Sequence, residues 1–242
     1  MEPVSSGSAS LGHADVTAVI PALNEEEPIG DVVCAVLETG VGEVIVVDNG
    51  SRDRTAERAR EAGARVVSQP HQGYGRACAA GAAAVGDDCE VVLFLDGDGS
   101  DCPEFTPSLL APIDAGTHDF VIGSRTRGRR EPDSMSPQQI LAGHLAGLLC
   151  RLVYGVSYTD MCPFRAIRRD RLIRLDMREQ TYGWNLEMQM RAAATGLRIL
   201  ETPVDHRRRA GGSSKVSGNL IGGLRAAVRI LWTFLKVVLT TR

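Results

Sequence analysis

The sequence predicts an α/β fold, a mostly parallel sheet flanked by helices on both faces. Short apolar, β-branched runs alternate with stretches of helical spacing, and this alternation repeats four times. Polar and acidic residues follow directly after several of these runs, as expected where the carboxyl ends of parallel strands form a ligand site. A chain of 242 residues, 43% of them hydrophobic, is long enough to bury the core of such a domain.

Five strands are predicted in the first part of the chain, because each is a short apolar run that stops at turn residues. They are Val16–Ile20, Val44–Val47, Arg65–Ser68, Val91–Leu95 and Phe120–Ile122. The stretches between them carry apolar residues at helical spacing and predict helices over Glu25–Leu37, Asp53–Ala62, Arg76–Val85 and Pro103–Ala115. Further along, the same criteria predict helices over Pro137–Tyr154, Arg169–Leu175 and Asn185–Ala194, and a strand over Arg198–Pro203.

We expect one main domain with a short extension at each end. Residues 1–14 are rich in Ser and Gly and have no apolar core, so they predict a disordered leader and not a signal peptide. Residues 15–218 form the α/β domain. Residues 219–242 predict a C-terminal amphipathic helix, for which three roles stay open: packing on the domain, contact with an anionic membrane face, or a homodimer contact.

Charge and cysteine usage narrow the class of protein. The net charge of −3 gives no general basis for nucleic-acid binding. The six cysteines show neither zinc spacing nor a C-x-x-C pair, which is typical of reduced thiols in a cytoplasmic protein. No run reaches about 18 uninterrupted apolar residues, so no transmembrane helix is predicted.

The stretch after the fourth strand, D-G-D-G-S-D, organises the predicted site. Asp96 and Asp98 leave a buried strand one residue apart, and burying two carboxylates is costly unless a positive group lies between them. Mg²⁺ or Mn²⁺ holding a phosphate would satisfy them, because hard cations prefer oxygen ligands. A solvated acidic turn is the alternative.

The loop Gly73-Tyr74-Gly75 precedes a helix and looks like the start of a dinucleotide-binding fingerprint. The third glycine of that pattern is replaced by Cys78, and the loop follows the third strand instead of the first. We therefore reject a dinucleotide site. A tight turn into a helix and a backbone-amide cradle beside a ligand both stay open.

The order of these motifs resembles that of the inverting glycosyltransferases of family 2 with the GT-A fold, close to the dolichol-phosphate mannose and glucose synthases. The motifs are P-A-L-N-E, D-N-G-S-x-D-x-T, G-Y-G-x-A, L-D-G-D-G-S-D-x-P-E, G-S-R, T-D-M-C-P-F-R-A, G-W-N-L-E-M and R-A-G-G-S-S-K. The resemblance covers about residues 16–217. It implies transfer of a hexose from a UDP- or GDP-linked sugar, with Mg²⁺ or Mn²⁺ as cofactor, at the cytoplasmic face of a membrane or in the cytoplasm.

The resemblance also assigns roles by position. It implies nucleotide binding by the loops at the sheet edge, a metal held by Asp96 and Asp98, and phosphate binding by basic side chains. The nucleotide set is Pro21, Ala22, Asn24, Glu25, Asp48, Gly75, Asp96 and Gly97, and the phosphate set is Arg125, Arg209, Ser214 and Lys215. Asp160 and Glu187 fall at candidate catalytic or acceptor positions, and Trp184 is a candidate for the acceptor side.

The acceptor is not decided by the sequence. A polyprenyl phosphate is already an anion and needs no base, whereas a soluble hydroxyl acceptor would need one, with Asp160 as the candidate. Asp160 as a turn residue, Glu187 as a surface acid and Trp184 as a core aromatic are the corresponding structural interpretations. Ser100 stands where related synthases often have a glutamine that helps the metal. A binding subunit without turnover is the remaining alternative.

Overall fold

A seven-stranded sheet forms the centre of the computed structural model, which describes residues 13–210 and 232–239. The strand order is β3-β2-β1-β4-β6-β5-β7. The strands are β1 (His13–Ala22), β2 (Val41–Asp48), β3 (Arg65–Ser68), β4 (Val91–Phe94), β5 (Phe120–Ser124), β6 (Arg165–Arg168) and β7 (Ile199–Pro203). Only β6 runs against its neighbours, between β4 and β5; the other four pairings are parallel. The predicted fold class is confirmed.

Seven α-helices flank this sheet within residues 13–210. They are α1 (Ile29–Glu38), α2 (Thr55–Glu61), α3 (Tyr74–Ala84), α4 (Thr106–Asp114), α5 (Pro137–Tyr154), α6 (Arg169–Arg174) and α7 (Trp184–Ala194), with a short 3₁₀ turn over Pro103–Phe105 before α4. The helix α3 packs very closely on β1, because a Cβ added at Gly81 would lie 2.3 Å from Cγ1 of Val19. Glycine at this position lets helix and sheet approach.

The helix α1 begins four residues later than the sequence predicts. Residues Glu25 and Glu26 have apolar residues after them at helical spacing, but their amides bond elsewhere. The Glu25 amide donates to Oγ1 of Thr55 at 2.8 Å, and the Glu26 amide donates to a carboxylate oxygen of Asp53 at 3.3 Å. These bonds join the loops that follow β1 and β2. The regular helix starts at Ile29, with Pro28 at the N-cap position.

The extension at the C-terminus is described over residues 232–239, which are helical. Thr233, Phe234 and Val237 are buried, whereas Trp232 and Leu239 are 70% and 78% exposed. Residues 1–12 of the predicted leader, and residues 219–231 and 240–242 of the predicted C-terminal helix, lie outside the described residues. The last two residues of the predicted leader, His13 and Ala14, belong to β1. Among the residues that the structure describes, no helix is both long enough and apolar enough to cross a membrane.

Candidate active site

The loop after β4 carries the D-x-D pair and is held by its own polar side chains. Asp98 Oδ1 accepts hydrogen bonds from the amide of Ser100 at 2.9 Å and from its hydroxyl at 2.5 Å. The hydroxyl of Tyr74, at the start of α3, donates to Oδ1 of Asp96 at 3.0 Å. Asp101 closes the loop by accepting from the amide of Asp96 at 2.9 Å. Both acids of the pair therefore have one carboxylate oxygen fixed by the protein.

Three carboxyl groups share this loop, and they repel one another. Burial, followed by the neighbouring acids, raises the pKa of Asp96. Burial also raises the pKa of Asp101 above its usual range. The nearby His206 adds no positive charge at neutral pH, because burial lowers its pKa to about 4. The cluster is thus an acidic environment in which an added cation would be favoured.

Arg209 is the basic side chain that reaches this cluster from the loop after β7. Its Nη2 lies 2.8 Å from Oε1 of Glu25, and its Nε lies 3.0 Å from Oδ2 of Asp98. The neighbouring Arg207 and Arg208 turn away and pair with Glu104 and Asp133. Ser214 and Lys215, the other predicted phosphate ligands of this loop, lie outside the described residues.

The loops after β1 and β2 meet beside the D-x-D loop. Asn24, which has a positive φ of 53°, accepts a hydrogen bond at its Oδ1 from the amide of Arg52 at 2.8 Å. Its own amide donates to Oγ of Ser51 at 3.0 Å, and the Ser51 amide donates to Asp48 at 3.0 Å. The parallel register pairs Ala22 with Asp48, and Pro21 precedes them at the same sheet edge. The structure therefore brings together the predicted nucleotide loops.

Gly97, inside the D-x-D pair, is close to the core. A Cβ at this position would lie 3.1 Å from Cδ1 of Ile29 and 3.2 Å from Cγ2 of Ile20. A side chain here would press on the start of α1 and the end of β1. Gly97 thus allows the acidic loop to lie directly over these two elements.

Arg125, just after β5, is tied to Asp160 from the loop before β6. Nε and Nη2 of Arg125 donate to the two carboxylate oxygens, each at 2.8 Å, and the Arg125 amide donates to Oδ2 at 3.0 Å. The amide of Met161 donates to Oδ1 at 2.7 Å. Burial opposes the charge of Asp160, but the Arg125 guanidinium outweighs it and the pKa of Asp160 is lowered. Each oxygen of Asp160 accepts two hydrogen bonds.

The loop that carries Asp160 is itself fixed from two sides. Glu201 on β7 accepts hydrogen bonds from the amide of Thr159 at 2.8 Å and from its hydroxyl at 3.0 Å. Helix α5 packs against the opposite side through glycines, because a Cβ at Gly147 would lie 1.8 Å from the carbonyl oxygen of Tyr158. The position of Asp160, and through it that of Arg125, is set by β7 and α5 together.

The carboxylate of Glu187 is held by neighbouring residues of the protein. Its carboxylate accepts hydrogen bonds from the amides of Arg178 at 2.9 Å and Glu179 at 2.6 Å, and from Nε of Arg191 at 2.8 Å. The side chain is buried. Glu187 therefore anchors the loop before α7, which is a structural arrangement and not that of an exposed acid.

Trp184 and Gly75 also have structural partners. The ring of Trp184 is buried and packs edge-on against Phe94 of β4, with ring centroids 6.5 Å apart. The amide of Gly75 donates to the carbonyl of Thr181 at 3.1 Å, and a Cβ at Gly75 would lie 2.2 Å from the carbonyl oxygen of Glu179. The start of α3 is covered by this loop, so the turn-into-helix interpretation of Gly73-Tyr74-Gly75 describes what is seen.

Two polar residues at the site were not singled out from the sequence. Tyr74 contacts Asp96, and its only sequence signal was its place between two glycines. Asn49 is buried, and its amide group donates to the carbonyls of Gln69 at 2.9 Å and His71 at 3.0 Å. Its Oδ1 accepts from the amide of Gly73 at 2.7 Å. Asn49 thus holds the chain between β3 and α3, which places Tyr74.

The residues at the D-x-D loop fit a hard divalent cation. The side-chain atoms of Asp96 and Asp98 that could bind a metal are carboxylate oxygens. Oδ2 of Asp98 already lies next to a cationic group, the guanidinium of Arg209. Within residues 13–210 and 232–239, no three Asp, Glu, His or Cys side chains are grouped so that they could enclose a metal by themselves. A metal bound here would therefore take further ligands from substrate phosphates and water, as Mg²⁺ and Mn²⁺ usually do.

The fold and its acidic sheet edge are those of an α/β domain with a ligand site at the carboxyl ends of its parallel strands. The chain belongs to glycosyltransferase family 2: the family model described as "Glycosyl transferase family 2" matches residues 17–175. This confirms the resemblance that the motifs indicate. Because the family's members are transferases, the alternative of a binding subunit without turnover is set aside.

Similar proteins differ in what they are named for. An uncharacterized glycosyltransferase of Mycobacterium tuberculosis is 38% identical, over 87% of this chain and 94% of the relative. A dolichyl-phosphate hexose transferase of Haloferax volcanii is 37% identical, over 81% of this chain and 85% of the relative. The crystal structure of glucosyl-3-phosphoglycerate synthase from M. tuberculosis, in complex with Mn²⁺, UDP and phosphoglyceric acid, matches with a TM-score of 0.72 and 25% identity. That match covers 92% of this chain and 78% of the synthase chain.

Proposed function

We propose that this glycosyltransferase moves a hexose from a nucleotide sugar, UDP-linked by preference, to polyprenyl phosphate, with inversion and with Mg²⁺ or Mn²⁺. The observation that carries the choice of acceptor is the hydrogen bonding of Asp160. Both of its oxygens already accept two bonds, and its pKa is lowered. Such a carboxylate is a poor general base, and a phosphate acceptor needs none.

The proposed binding of the sugar-nucleotide donor is based on the residues at the sheet edge. Asp96 and Asp98 would hold the divalent cation, which when bound offsets the charge that develops on the leaving diphosphate. The loops with Asn24 and Asp48 would bind the nucleoside, because they meet next to the D-x-D loop. Arg209, with Ser214 and Lys215 further along the same loop, would donate to the diphosphate.

Arg125 is the proposed ligand of the acceptor phosphate. Nε and Nη2 of its guanidinium donate hydrogen bonds to Asp160, and Nη1 takes no part in that ion pair. Its charge acts on the donor side as well, because it opposes the rise in the pKa of Asp96 and Asp101. Asp160 acts as a positioning residue that holds Arg125 with its charge and direction fixed.

The helix α5, which packs on the loop of Asp160, has an outer face that suits a lipid surface. The inner side of α5 packs on the loop of Asp160, and its outer side exposes leucines, with Leu141 70% and Leu152 73% exposed. The helix contains no acidic residue, and Arg151 lies in its last turn. An apolar face without negative charge is what a helix lying on an anionic lipid surface requires. We infer that α5 contacts the membrane; Trp232 and Leu239 of the C-terminal extension, which are also exposed, are further candidates for such a contact.

The comparisons support, in general terms, both the proposed lipid-phosphate acceptor and the proposed nucleotide-sugar donor. The relative from Haloferax is named as a dolichyl-phosphate hexose transferase, and the similar synthase structure contains Mn²⁺ and UDP. The same synthase favours a second candidate, transfer to a soluble hydroxyl acceptor. In that case another group would have to remove the acceptor proton.

A labelled-sugar assay separates these candidates. Purified protein with UDP-[¹⁴C]glucose, Mn²⁺ and polyprenyl phosphate should move label into the organic phase of a solvent extraction. The matched reactions contain phosphoglyceric acid as acceptor, GDP-mannose as donor, or the variant Asp98→Asn. Label that stays in water with polyprenyl phosphate and appears as a phosphoglycerate glycoside would contradict the lipid acceptor.

A further inference from the structure

Arg209 bridges two acids that come from different loops of the sheet edge. Its guanidinium lies 2.8 Å from Glu25 through Nη2 and 3.0 Å from Asp98 through Nε. The two carboxylate side chains are 6% and 8% exposed, whereas the Arg209 side chain is 30% exposed. An arginine therefore covers the carboxylate oxygen of Asp98 that the serine bonds leave open.

The backbone on both sides of Arg209 keeps it at this position. The amide of Arg207 donates to the carbonyl of Ser100 at 2.9 Å, and the amide of Ala210 donates to the carbonyl of Asp98 at 3.1 Å. Gly99, with φ of 76°, lies beneath, and a Cβ there would lie 3.3 Å from Cβ of Ala210. The segment thus runs along the D-x-D loop, and the arginine side chain is directed to Asp98 by this pairing.

The contact with Asp98 is weaker than the contact with Glu25. The Nη2 atom makes a well-formed hydrogen bond to Glu25. The Nε atom is buried and close to Asp98, but it has no hydrogen-bond partner of acceptable geometry. Its attraction to Asp98 is therefore mainly that of opposite charges at short distance, which a divalent cation can replace.

We propose that Arg209 is an internal counter-ion that competes with the divalent metal for Asp98 until the nucleotide binds. This inference rests on the proposed function, because it takes Asp98 as a metal ligand. For a metal to bind alone, Arg209 would have to give up its contact with Asp98 without gaining a new partner for Nε. With a diphosphate present, Arg209 would donate hydrogen bonds to its oxygens, and the diphosphate would supply further ligands to the metal. Metal and nucleotide therefore bind cooperatively, and Arg209 couples them.

The test is a titration with Mn²⁺ in the absence of nucleotide. Binding is measured from the electron paramagnetic resonance signal of the free Mn²⁺. The variant Arg209→Gln should bind Mn²⁺ alone about tenfold more tightly than the parent, because a competing charge is removed. In the presence of Mn²⁺ the same variant should bind UDP more weakly than the parent, because the diphosphate loses a partner. An effect of opposite sign on the two ligands is not expected from general damage to the fold.

Two further variants keep the result interpretable. Arg208→Gln removes a charge from the same loop, where Arg208 pairs with Asp133 and is 57% exposed, and should leave Mn²⁺ binding unchanged. Arg209→Lys keeps the charge but cannot span both acids, and should tighten Mn²⁺ binding by a smaller factor. It replaces Arg209→Gln if that variant does not fold.

The outcomes separate this inference from the proposed function. If the parent binds UDP with Mn²⁺ but neither Arg209 variant binds Mn²⁺ alone more tightly, the counter-ion proposal is wrong and the metal site stands. If the parent binds Mn²⁺ no better than Asp98→Asn even with UDP, the metal site is wrong and the counter-ion proposal falls with it.

Discussion

Arg125 and Asp160 form a nearly buried bidentate ion pair, with both guanidinium contacts at 2.8 Å and side-chain exposures of 11% and 2%. A third bond, from the Arg125 amide, fixes the carboxylate relative to the end of β5. The pair joins the strand end that would hold the acceptor phosphate to the loop before β6. The geometry of this ion pair makes Asp160 a positioning residue for Arg125.

Replacing Asp160 with Asn should leave Arg125 buried without its counter-charge. We expect the free energy of unfolding to fall by about 3 kcal/mol and kcat/KM to fall about hundredfold. With polyprenyl phosphate as acceptor, the shape of the pH–rate profile should stay that of the parent. The loss of a general base would instead abolish turnover, or leave a rate that rises with hydroxide concentration. Asp170→Asn, in an exposed ion pair, is the control.

Gly75 should be intolerant of a side chain for a reason of packing. Its Cβ would lie 2.2 Å from the carbonyl oxygen of Glu179, so Gly75→Ala must push the loop before α7 away from α3. We expect a loss of about 1–3 kcal/mol in the free energy of unfolding. Gly30→Ala is the matched control, because a Cβ there meets nothing within 4 Å and lies in α1. That variant should be neutral or stabilised by up to about 1 kcal/mol in thermal unfolding.

We expect the protein to lose part of its stability in acid when Asp119 becomes protonated. Hydrogen bonds from Arg198 lower the pKa of Asp119 to about 2, against an ordinary value near 3.8. A carboxyl whose pKa is lower in the folded state stabilises the protein above the unfolded pKa and loses this contribution as the pH falls through the folded pKa. Because Arg198 is half-exposed, the contribution at pH 7 should be about 1–2 kcal/mol.

Urea unfolding of the parent and of Asp119→Asn at several pH values measures this contribution. The two stabilities should differ at pH 7 and converge between pH 4 and pH 2. A difference that stays the same over this range would show that the ion pair contributes nothing that depends on the charge of Asp119.

The outer side of α5 should decide membrane binding. Leu148 is 52% exposed and Leu152 is 73% exposed, so Leu148→Glu and Leu152→Glu should fold but lose binding to anionic lipid vesicles. Ile173→Glu, at a 64% exposed position on α6, should bind vesicles like the parent. Flotation with vesicles of phosphatidylglycerol measures this. Equal flotation of the parent and the three variants would contradict the proposal that α5 binds the membrane.

Much of the fold could be predicted from the sequence because its signals are local. The strands that precede Asp48 and Asp96 are apolar runs ending in turn residues, and their ends fall at one sheet edge as the parallel arrangement requires. The insertion of β6 between β4 and β5 could not be read in this way, because its pairing depends on distant partners. The bond from the amide of Glu25 to Thr55 could not be read locally either, because the two residues are 30 positions apart in the chain.

The site was predictable where chemistry demands particular residue types, and less so where packing decides. Asp96, Asp98 and Arg209 carry charges that few folds bury without a purpose, and they lie together. Glu187 looks like a free helix acid in the sequence, but in the structure it binds the amides of Arg178 and Glu179. No local pattern shows which loop will cover a given helix, so such residues are found only in three dimensions.

The proposed function requires a metal held by Asp96 and Asp98 against a nucleotide diphosphate. Titration calorimetry of UDP into the parent and into Asp98→Asn, each with Mn²⁺ and with a chelator, tests this directly. We predict UDP binding to the parent with Mn²⁺, and at least about tenfold weaker binding in the other three titrations. Equal UDP affinity with Mn²⁺ and with the chelator, or undiminished metal-dependent binding by Asp98→Asn, would contradict the account.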